Sequence, residues 1–396
     1  MKGLKRYKDH EGEIAFVKNK GLPRTVQNAI YQEGLKALKQ RMGRHHQPER
    51  TILLVGGAGY IGTVLTAHLL RCGYRVRCLD LLLYQNQVCV LPFLSNDHYE
   101  FIYGDLADAS IHDAVLSGVT DVVLLAGLVG DPITKKYPEA SEVINDTGLL
   151  QLIKNLQGRG LNKVIFVSTC SNYGLIKTNE LADENFALSP LSLYAKAKVR
   201  VEKEILSQKG RVDYHGTVLR FATAFGLSPR MRFDLTVNEF AREIFLKHDL
   251  LVYDADTWRP YCHVQDFCTL IERVLVFPTG LVSFEVFNCG GAVNNFTKQM
   301  IVDKVREFLP DARVSYKEHG TDPRNYKVDF KKVRERLFFE PRYTVADGIS
   351  EIIKAMQQNL FVDIEKNREF FGNYSIEYKM NSVGCLQNSG GQEVVS

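Results

Sequence analysis

The stretch that most constrains this chain runs from Thr51 to Gly62, T-I-L-L-V-G-G-A-G-Y-I-G. Thr51 to Val55 is short, apolar and rich in β-branched residues, which predicts a strand buried on both faces. The strand pattern stops at Gly56-Gly57, and an amphipathic pattern starts at about Tyr60 and lasts to Cys72, with Gly73 as a stop signal. Strand, glycine turn and helix in immediate succession make a phosphate cradle. The glycines let the backbone approach a pyrophosphate, and the first turn of the helix offers unpaired N–H groups and positive dipole potential. Gly56, Gly59 and Gly62 are spaced G-x-x-G-x-x-G, and their strand–helix context points to a bound dinucleotide. A tight turn with no ligand is the alternative.

From Thr51 onward strand and helix patterns alternate. Strands are predicted at 75–79, 99–103, 121–126, 163–167 and 215–220, with helices at 143–157 and 192–208. This rhythm predicts an α/β fold: a Rossmann-type, doubly wound parallel sheet. After Gly226 the rhythm breaks into a mixed pattern, with helices expected at 234–247, 300–308 and 345–358 and short strands at 250–253, 259–264, 285–288 and 313–316. The expected organisation is a basic extension at 1–50, a dinucleotide-binding domain at 51–226, and a smaller substrate-binding lobe at 227–366 with segments returning to the main sheet. A flexible tail is expected at 367–396, where periodicity fades and the last residues are polar and Gly/Ser-rich.

Composition enters at three points. Residues 1–50 hold 12 Lys/Arg against 5 Asp/Glu, so this arm carries +7 of a net +4 and leaves the remainder at −3. A basic arm can touch an acidic partner or pack on its own fold. It has no nucleic-acid motif, so no nucleic-acid partner is expected. A helical stripe at Thr25–Gln40 is expected within it, followed by a polar linker at 43–50. No apolar run is long enough to span a membrane, and the basic N-terminus lacks the apolar core of a secretory signal. Eight scattered cysteines with no C-x-x-C pair read as free thiols in a reducing cytoplasm, with no metal site expected.

Several residues could carry chemistry. Asp80 ends the second strand 18 residues after Gly62, where a carboxylate accepts hydrogen bonds from a ribose diol and repels a 2′-phosphate. That favours NAD over NADP. Asp105 follows the third strand and can accept from an adenine amino group, with Leu106 beside the ring. Tyr194 and Lys198 are four apart at the start of a long helix and so share a face. An ammonium there favours the phenolate and brings the tyrosine pKa toward neutrality, so that it can take a proton from a sugar hydroxyl. Thr169 ends the fifth strand and can hydrogen-bond the same oxygen. Each of these residues also has an ordinary structural use, as a turn, a solvated helix pair or a strand-end cap.

Taken together these pieces resemble the extended short-chain dehydrogenase/reductase superfamily, in particular its nucleotide-sugar epimerases and dehydratases. The resemblance runs from about Thr51 to Ile353. It rests on Gly56-Gly57-Ala58-Gly59-Tyr60-Ile61-Gly62, Gly104-Asp105-Leu106, Leu125-Ala126-Gly127 and Asn145-Asp146-Thr147-Gly148. Ser168-Thr169 with Tyr173-Gly174 and the stretch Pro190 to Lys198 continue the series. Leu219-Arg220-Phe221, Phe225-Gly226, Trp258 to Asp266, Phe287-Asn288 and Asp322-Pro323-Arg324 complete it. The resemblance implies bound NAD, with Leu125, Ala126 and Gly127 as a cofactor wall and Lys198 serving both cofactor and catalysis. It implies a nucleoside diphosphate sugar as substrate, with Arg259 on the diphosphate and Arg324 at the nucleotide end. It also implies a homodimer built on the helix that carries Tyr194.

Tyr194 would deprotonate a hydroxyl, usually at sugar C4, while NAD takes the hydride; Thr169 and Lys198 would position and polarise the site. The sequence departs from the family pattern at informative places. The 4,6-dehydratases carry Asp-Glu after the catalytic Thr, and here Cys170 and Ser171 stand there, which argues against an ordinary dehydratase. Cys170 is expected beside the sugar ring, as an acid/base or as a small space-filler. Thr223 replaces the usual Asn of the sixth-strand motif and Leu124 a usual His. Ser228 to Asn238 resembles a subgroup acting on modified nucleotide sugars, and Arg232 and Arg230 there are candidate anion contacts. The expected activity is an NAD-dependent nucleotide-sugar epimerase acting through a transient 4-keto sugar. The alternatives are a 4-reductase or 4-dehydrogenase, an atypical dehydratase, and a catalytically silent NAD-binding interaction protein.

Overall fold

The computed structural model describes residues 50–177, 180–318, 324–361 and 363–379, and the paired backbone segments Tyr7–Lys8 and Ile14–Ala15. The helix expected at Thr25–Gln40, the linker at 43–49 and the last residues of the chain lie outside the described residues.

The alternating code of the sequence becomes a sheet of seven strands. In chain order its first part is β1 (Thr51–Val55), α1 (Tyr60–Arg71), β2 (Arg75–Asp80), β3 (Tyr99–Tyr103), β4 (Asp121–Leu124), α2 (Gly148–Asn155), β5 (Lys163–Thr169), α3 (Leu193–Ser207) and β6 (His215–Phe221). The seventh strand, β10 (Glu285–Cys289), returns from the second half of the chain. The strand order is β10-β6-β5-β4-β1-β2-β3, and every pair is parallel.

A parallel sheet with helices on both faces requires apolar residues on both sides of each strand. β5 is buried along its whole length, and successive residues feed opposite cores. Ile165 and Val167 join one cluster with Ile52, Leu54 and Leu219; Val164 and Phe166 join the other with Leu53, Val55 and Val218. Each such side chain contributes roughly 1.5–3 kcal/mol by leaving water. Strand order reverses between β1 and β4, and the helices that follow these two strands pack into opposite cores. That switch point is where open α/β sheets form a ligand crevice.

The second half builds a lobe over that crevice. Its elements are β7 (Thr223–Phe225), α4 (Thr236–Phe245), β8 (Leu250–Tyr253), β9 (Trp258–His263), α5 (Val264–Val276), β11 (Asn295–Thr297), α6 (Lys298–Phe308), β12 (Val314–Lys317), α7 (Lys331–Leu337) and α8 (Val345–Gln357). β9 pairs with β7 in parallel and with β11 antiparallel, so Arg259 and Tyr261 are carried on a small central strand. α5 has no counterpart among the helices predicted from the sequence. Phe267, Leu270, Ile271, Val274 and Leu275 are all buried, and a helix apolar on most sides gives a weak periodic signal.

Residues 367–379, expected as the start of a flexible tail, instead cross the face of the sheet near the crevice. Phe371 packs edge-on against Phe233 and Phe361. Phe233 N donates to Phe371 O at 2.7 Å, and Lys136 Nζ donates to Tyr374 O at 3.0 Å. The segment is held by single aromatic anchors and backbone carbonyls, so it carries neither a strand nor a helix periodicity.

Candidate active site

The loop after β1 sits at the switch point. Gly56 has φ +86°, and a Cβ there would lie 2.7 Å from the backbone of Ala126, so only glycine allows the β1 and β4 loops to meet. A Cβ on Gly62 would lie 2.5–2.6 Å from the carbonyl groups of Gly56 and Gly57, because the helix starts directly against the turn. Gly59 is different: a Cβ there would meet only the Gly56 carbonyl oxygen, at 3.4 Å. The space over the first turn of α1 is thus left open, and the cradle fits a pyrophosphate. Tyr60 lines the same cavity, but its hydroxyl is turned to the second lobe, donating to Gly226 O at 2.6 Å and accepting from Asn238 at 3.3 Å.

Asp80 lies at the end of β2 on the cavity wall. Its Oδ2 accepts from Ala58 N at 3.0 Å and its Oδ1 from Leu82 N at 2.8 Å. Burial raises its pKa, and those backbone donors oppose the rise. Asp105 accepts from Ala107 N through Oδ1 and from the Tyr378 hydroxyl, at 2.7 Å, through Oδ2. Leu106, Leu125, Ala126, Gly127 and Ile61 line the same cavity. The loop holding Leu125 to Gly130 is clamped by Asn145, which accepts from Leu128 N at 2.7 Å and donates to Leu128 O at 3.0 Å.

At the other end of the cavity stand Thr169, Tyr194 and Lys198. Ser192 caps α3, its side chain accepting from Ala195 N at 3.2 Å, and this places Tyr194 in the first turn. Tyr194, Lys198 and Glu202 follow at intervals of four on one face and are all buried. Lys198 Nζ donates to Val167 O at 2.9 Å and lies 5.8 Å from the Tyr194 ring centroid. Burial lowers its pKa to about 8, with Glu202 opposing. Burial also pushes the Tyr194 phenol well up; Arg232 and Arg324 pull it down and Asp131 pushes it up. This differs from the expected depression by Lys198, because burial outweighs the cations and the ammonium is directed at the Val167 carbonyl. Thr169 Oγ1 accepts from Ser171 N at 3.1 Å, a strand-end cap on the cavity wall.

A buried bracket fixes this end. Glu202 accepts from Arg220 at 2.8 and 3.1 Å, from Asn172 at 2.8 Å and from Ser168 Oγ. Arg220 also donates to the Tyr173 hydroxyl at 3.0 Å, which in turn donates to Asn288 at 2.7 Å. Three motif segments that the sequence left without a role, at Tyr173, Arg220 and Asn288, thereby join one network tying α3 to β5, β6 and β10.

Cys170 is a correction. It was expected beside a sugar ring, yet its side chain is buried in the apolar core, Sγ donating to Arg220 O at 3.2 Å. Burial pushes the thiol pKa up, so it is a space-filler and not a nucleophile or base. The strand ends at Thr169, and the 3₁₀ turn Cys170–Tyr173 that follows turns Cys170 inward and leaves Ser171 on the cavity wall. Arg324 is also placed differently from the nucleotide end expected of it. Its guanidinium donates to Ser171 Oγ at 3.3 Å and lies 3.4 Å from Asp131, at the Tyr194 end.

Arg259, Arg232 and Thr223 line the cavity as expected. Arg259 lies 5.0 Å above the Tyr326 ring. Arg232 is paired with Asp234, Nε to Oδ1 at 3.0 Å. Polar wall residues with no role assigned from sequence include Asp131, Ser171, Tyr326, Asn373 and Tyr374. Asp131 follows the glycine turn after β4, a signal that was readable; Asn373 and Tyr374 lie in the aperiodic segment. Among the described residues no helix is long and apolar enough to cross a membrane.

Comparison with known proteins identifies the family and the fold. The model of the NAD dependent epimerase/dehydratase family matches residues 52–290. A dTDP-glucose 4,6-dehydratase of Streptomyces niveus is 27% identical over 328 residues, covering 78% of this chain and 93% of that protein. A UDP-glucose 4-epimerase of Rhizobium leguminosarum bv. trifolii is 32% identical over 184 residues, 44% of this chain and 52% of its own. The crystal structure of the dTDP-glucose 4,6-dehydratase from Streptomyces venezuelae with NAD bound superimposes with a TM-score of 0.71 at 23% identity, covering 78% of this chain and 97% of that one. The chain therefore belongs to the NAD-dependent epimerase/dehydratase family and is an enzyme of the extended short-chain dehydrogenase/reductase type.

Proposed function

We propose that the protein is an NAD-dependent nucleotide-sugar epimerase that works through a transient 4-keto sugar. The observation that carries this is the single cavity that joins the glycine cradle and Asp80 at one end to Thr169, Tyr194 and Lys198 at the other. Gly59 leaves room for the pyrophosphate, Asp80 receives the adenosine ribose, and Leu125 to Gly127 form the wall beside the cofactor. NAD, when bound, accepts a hydride from the sugar and can return it.

The protein's own groups supply the rest. Tyr194 takes the proton from the C4 hydroxyl and gives it back, contributing about 10²–10⁴-fold. Its phenol is costly to ionise where it stands, so the neighbouring cations Arg232 and Arg324 support the charged form. Thr169 holds the same sugar oxygen, and Arg259 takes the diphosphate, for which a guanidinium fork is well shaped. An epimerase is favoured over a dehydratase because elimination of water needs an acid and a base beside the strand end, where Cys170 faces the core and Ser171 has no carboxyl group.

The test is product analysis by NMR and mass spectrometry from UDP-, dTDP-, GDP- and CDP-sugars. An epimerase yields an inverted sugar without added NAD, and Tyr194→Phe abolishes it. A product two hydrogens and one oxygen lighter than substrate, or a stoichiometric need for NADH, would refute the proposal.

A further inference from the structure

The Tyr194 end of the cavity carries two arginines, and the protein itself supplies a carboxylate to each. Arg232 pairs with Asp234, Nε to Oδ1 at 3.0 Å, with both side chains largely buried. Arg324 Nη2 lies 3.4 Å from Asp131 Oδ2, at side-chain exposures of 19% and 20%. Arg232, Asp234, Arg324 and Asp131 line the same cavity as Tyr194, so both pairs border the position of the reacting sugar. The other oxygen of Asp131, Oδ1, is buried and has no hydrogen-bond partner. A buried carboxylate oxygen without a donor is costly, and the Asp131 side chain as a whole is 20% exposed on the cavity wall, where a ligand hydroxyl can reach it. Ser171 Oγ and the Tyr326 hydroxyl, 3.2 Å apart, continue the same wall with groups that donate and accept.

We infer that this subsite selects nucleotide sugars whose sugar ring is uncharged, and that Asp131 sets the choice by accepting a ring hydroxyl and repelling a ring carboxylate. This rests on the nucleotide-sugar function proposed above and adds the substrate class. A hexose or pentose offers hydroxyls to the exposed part of the Asp131 carboxylate and takes hydrogen bonds from Ser171 and Arg324. A uronic acid brings a second carboxylate to an arginine that already has one. Like charges a few ångströms apart in a desolvated pocket oppose binding by kilocalories, so discrimination of tenfold or more is within reach of this one side chain.

The experiment compares UDP-glucose with UDP-glucuronic acid, and dTDP-glucose with dTDP-glucuronic acid, so that the base is constant within each pair. Binding to the NAD-loaded wild type is measured by calorimetry and turnover by NMR. Wild type is expected to prefer the neutral member at least tenfold. Asp131→Asn keeps the shape and removes the charge; it is expected to gain affinity for the uronate while losing several-fold for the neutral sugar, so that the preference narrows tenfold or inverts. Asp131→Glu, which restores the charge, is expected to restore exclusion of the uronate.

Equal use of both members by wild type would overturn the inference. So would an Asp131→Asn protein that weakens both in proportion, since that marks a purely structural residue. If Asp131→Asn does not fold, the wild-type preference and the Asp131→Glu protein still decide. If none of the four binds, the same neutral and uronate pair is run on GDP and CDP; binding of no member on any base would overturn the nucleotide-sugar function itself, and this inference with it.

Discussion

Glu202→Gln tests the buried bracket behind the catalytic helix. In the native protein the Glu202 carboxylate takes two hydrogen bonds from Arg220 on Oε2, at 2.8 and 3.1 Å, and hydrogen bonds from Asn172 and Ser168 on Oε1. Side-chain exposure is 1% for Glu202 and 5% for Arg220, so water does not replace what is lost. Burial by itself would lower the Arg220 pKa and the bond to Glu202 holds it above the ordinary value; without that bond the guanidinium still stays charged, because an arginine side chain does not give up its proton in a protein. A glutamine leaves that charge uncompensated and turns an N–H₂ group toward other donors. Removing one partner of a buried pair costs about 3–5 kcal/mol. At a urea slope of about 3 kcal/mol/M the unfolding midpoint falls by roughly 1–1.5 M. Trp258 is the sole tryptophan, and its fluorescence reports the transition. A double replacement, Glu202→Leu with Arg220→Met, is expected to lose less than the sum of the two single changes, because neither partner is then left charged and alone. A midpoint moved by less than 0.3 M (about 1 kcal/mol at this slope) for Glu202→Gln, or a double variant worse than the sum, would refute the account of the bracket as a compensated buried pair.

The remaining predictions concern the cavity. Lys198 has its pKa lowered to about 8 by burial, so its ammonium is present below that pH and lost above it. The rate should therefore fall above about pH 8, and Glu202→Gln, which removes the group opposing that shift, should move the alkaline limb to lower pH; a rate–pH profile flat to pH 10 contradicts the assignment. For stability the sign is opposite: the folded pKa lies below the free value of 10.5, so the cost of burying the charged amine is present below pH 8 and fades as pH rises from 8 to 10.5. Gly62→Ala puts a methyl 2.5–2.6 Å from the Gly56 and Gly57 carbonyl groups, and purified protein should retain at least tenfold less NAD by absorbance after denaturation. Tyr378→Phe removes a 2.7 Å hydrogen bond to Asp105, worth about 1.5–3 kcal/mol for a charged acceptor, and should speed exchange of bound NAD about tenfold or more. Cys170→Ala should leave kcat within about twofold and cost about 1–2 kcal/mol in urea, since it removes only buried packing and one weak hydrogen bond.

What was legible in the sequence was whatever repeats at a short period or sits beside a glycine turn. β1, β2, β3 and β6 follow the predicted segments closely: β1 and β6 are buried along nearly their whole length, and β2 and β3, with Arg75 and Glu100 exposed, still carry the β-branched and aromatic residues of a strand. The cavity wall was legible for the same reason: residues at the ends of parallel strands meet at the switch point, so Gly56, Asp80, Asp105, Ala126 and Thr169 converge once their strands are known. The misplacements are those of side-chain direction and of long-range approach. Cys170 and Ser171 are adjacent in the 3₁₀ turn Cys170–Tyr173, and the rotation of that turn decides which faces the cavity and which faces the core. Motif position is blind to that choice because both residues are small and weakly polar. Arg324 is long enough to reach either end of the site, and its placement depends on Asp131 and Ser171, more than 150 residues away in the chain. The segment 367–379 fails for a third reason. It is held by Phe371, by Arg230 donating at 2.9 Å to the Gly372 carbonyl, and by Tyr378 on Asp105, contacts that leave no period in the sequence. Because this segment brings Asn373 and Tyr374 to the cavity wall, its loss should change the site without unfolding the sheet. A chain truncated after Lys366 is therefore expected to keep its urea transition on Trp258 while releasing NAD faster than Tyr378→Phe does. A truncation that unfolds the whole protein would show instead that the segment belongs to the core.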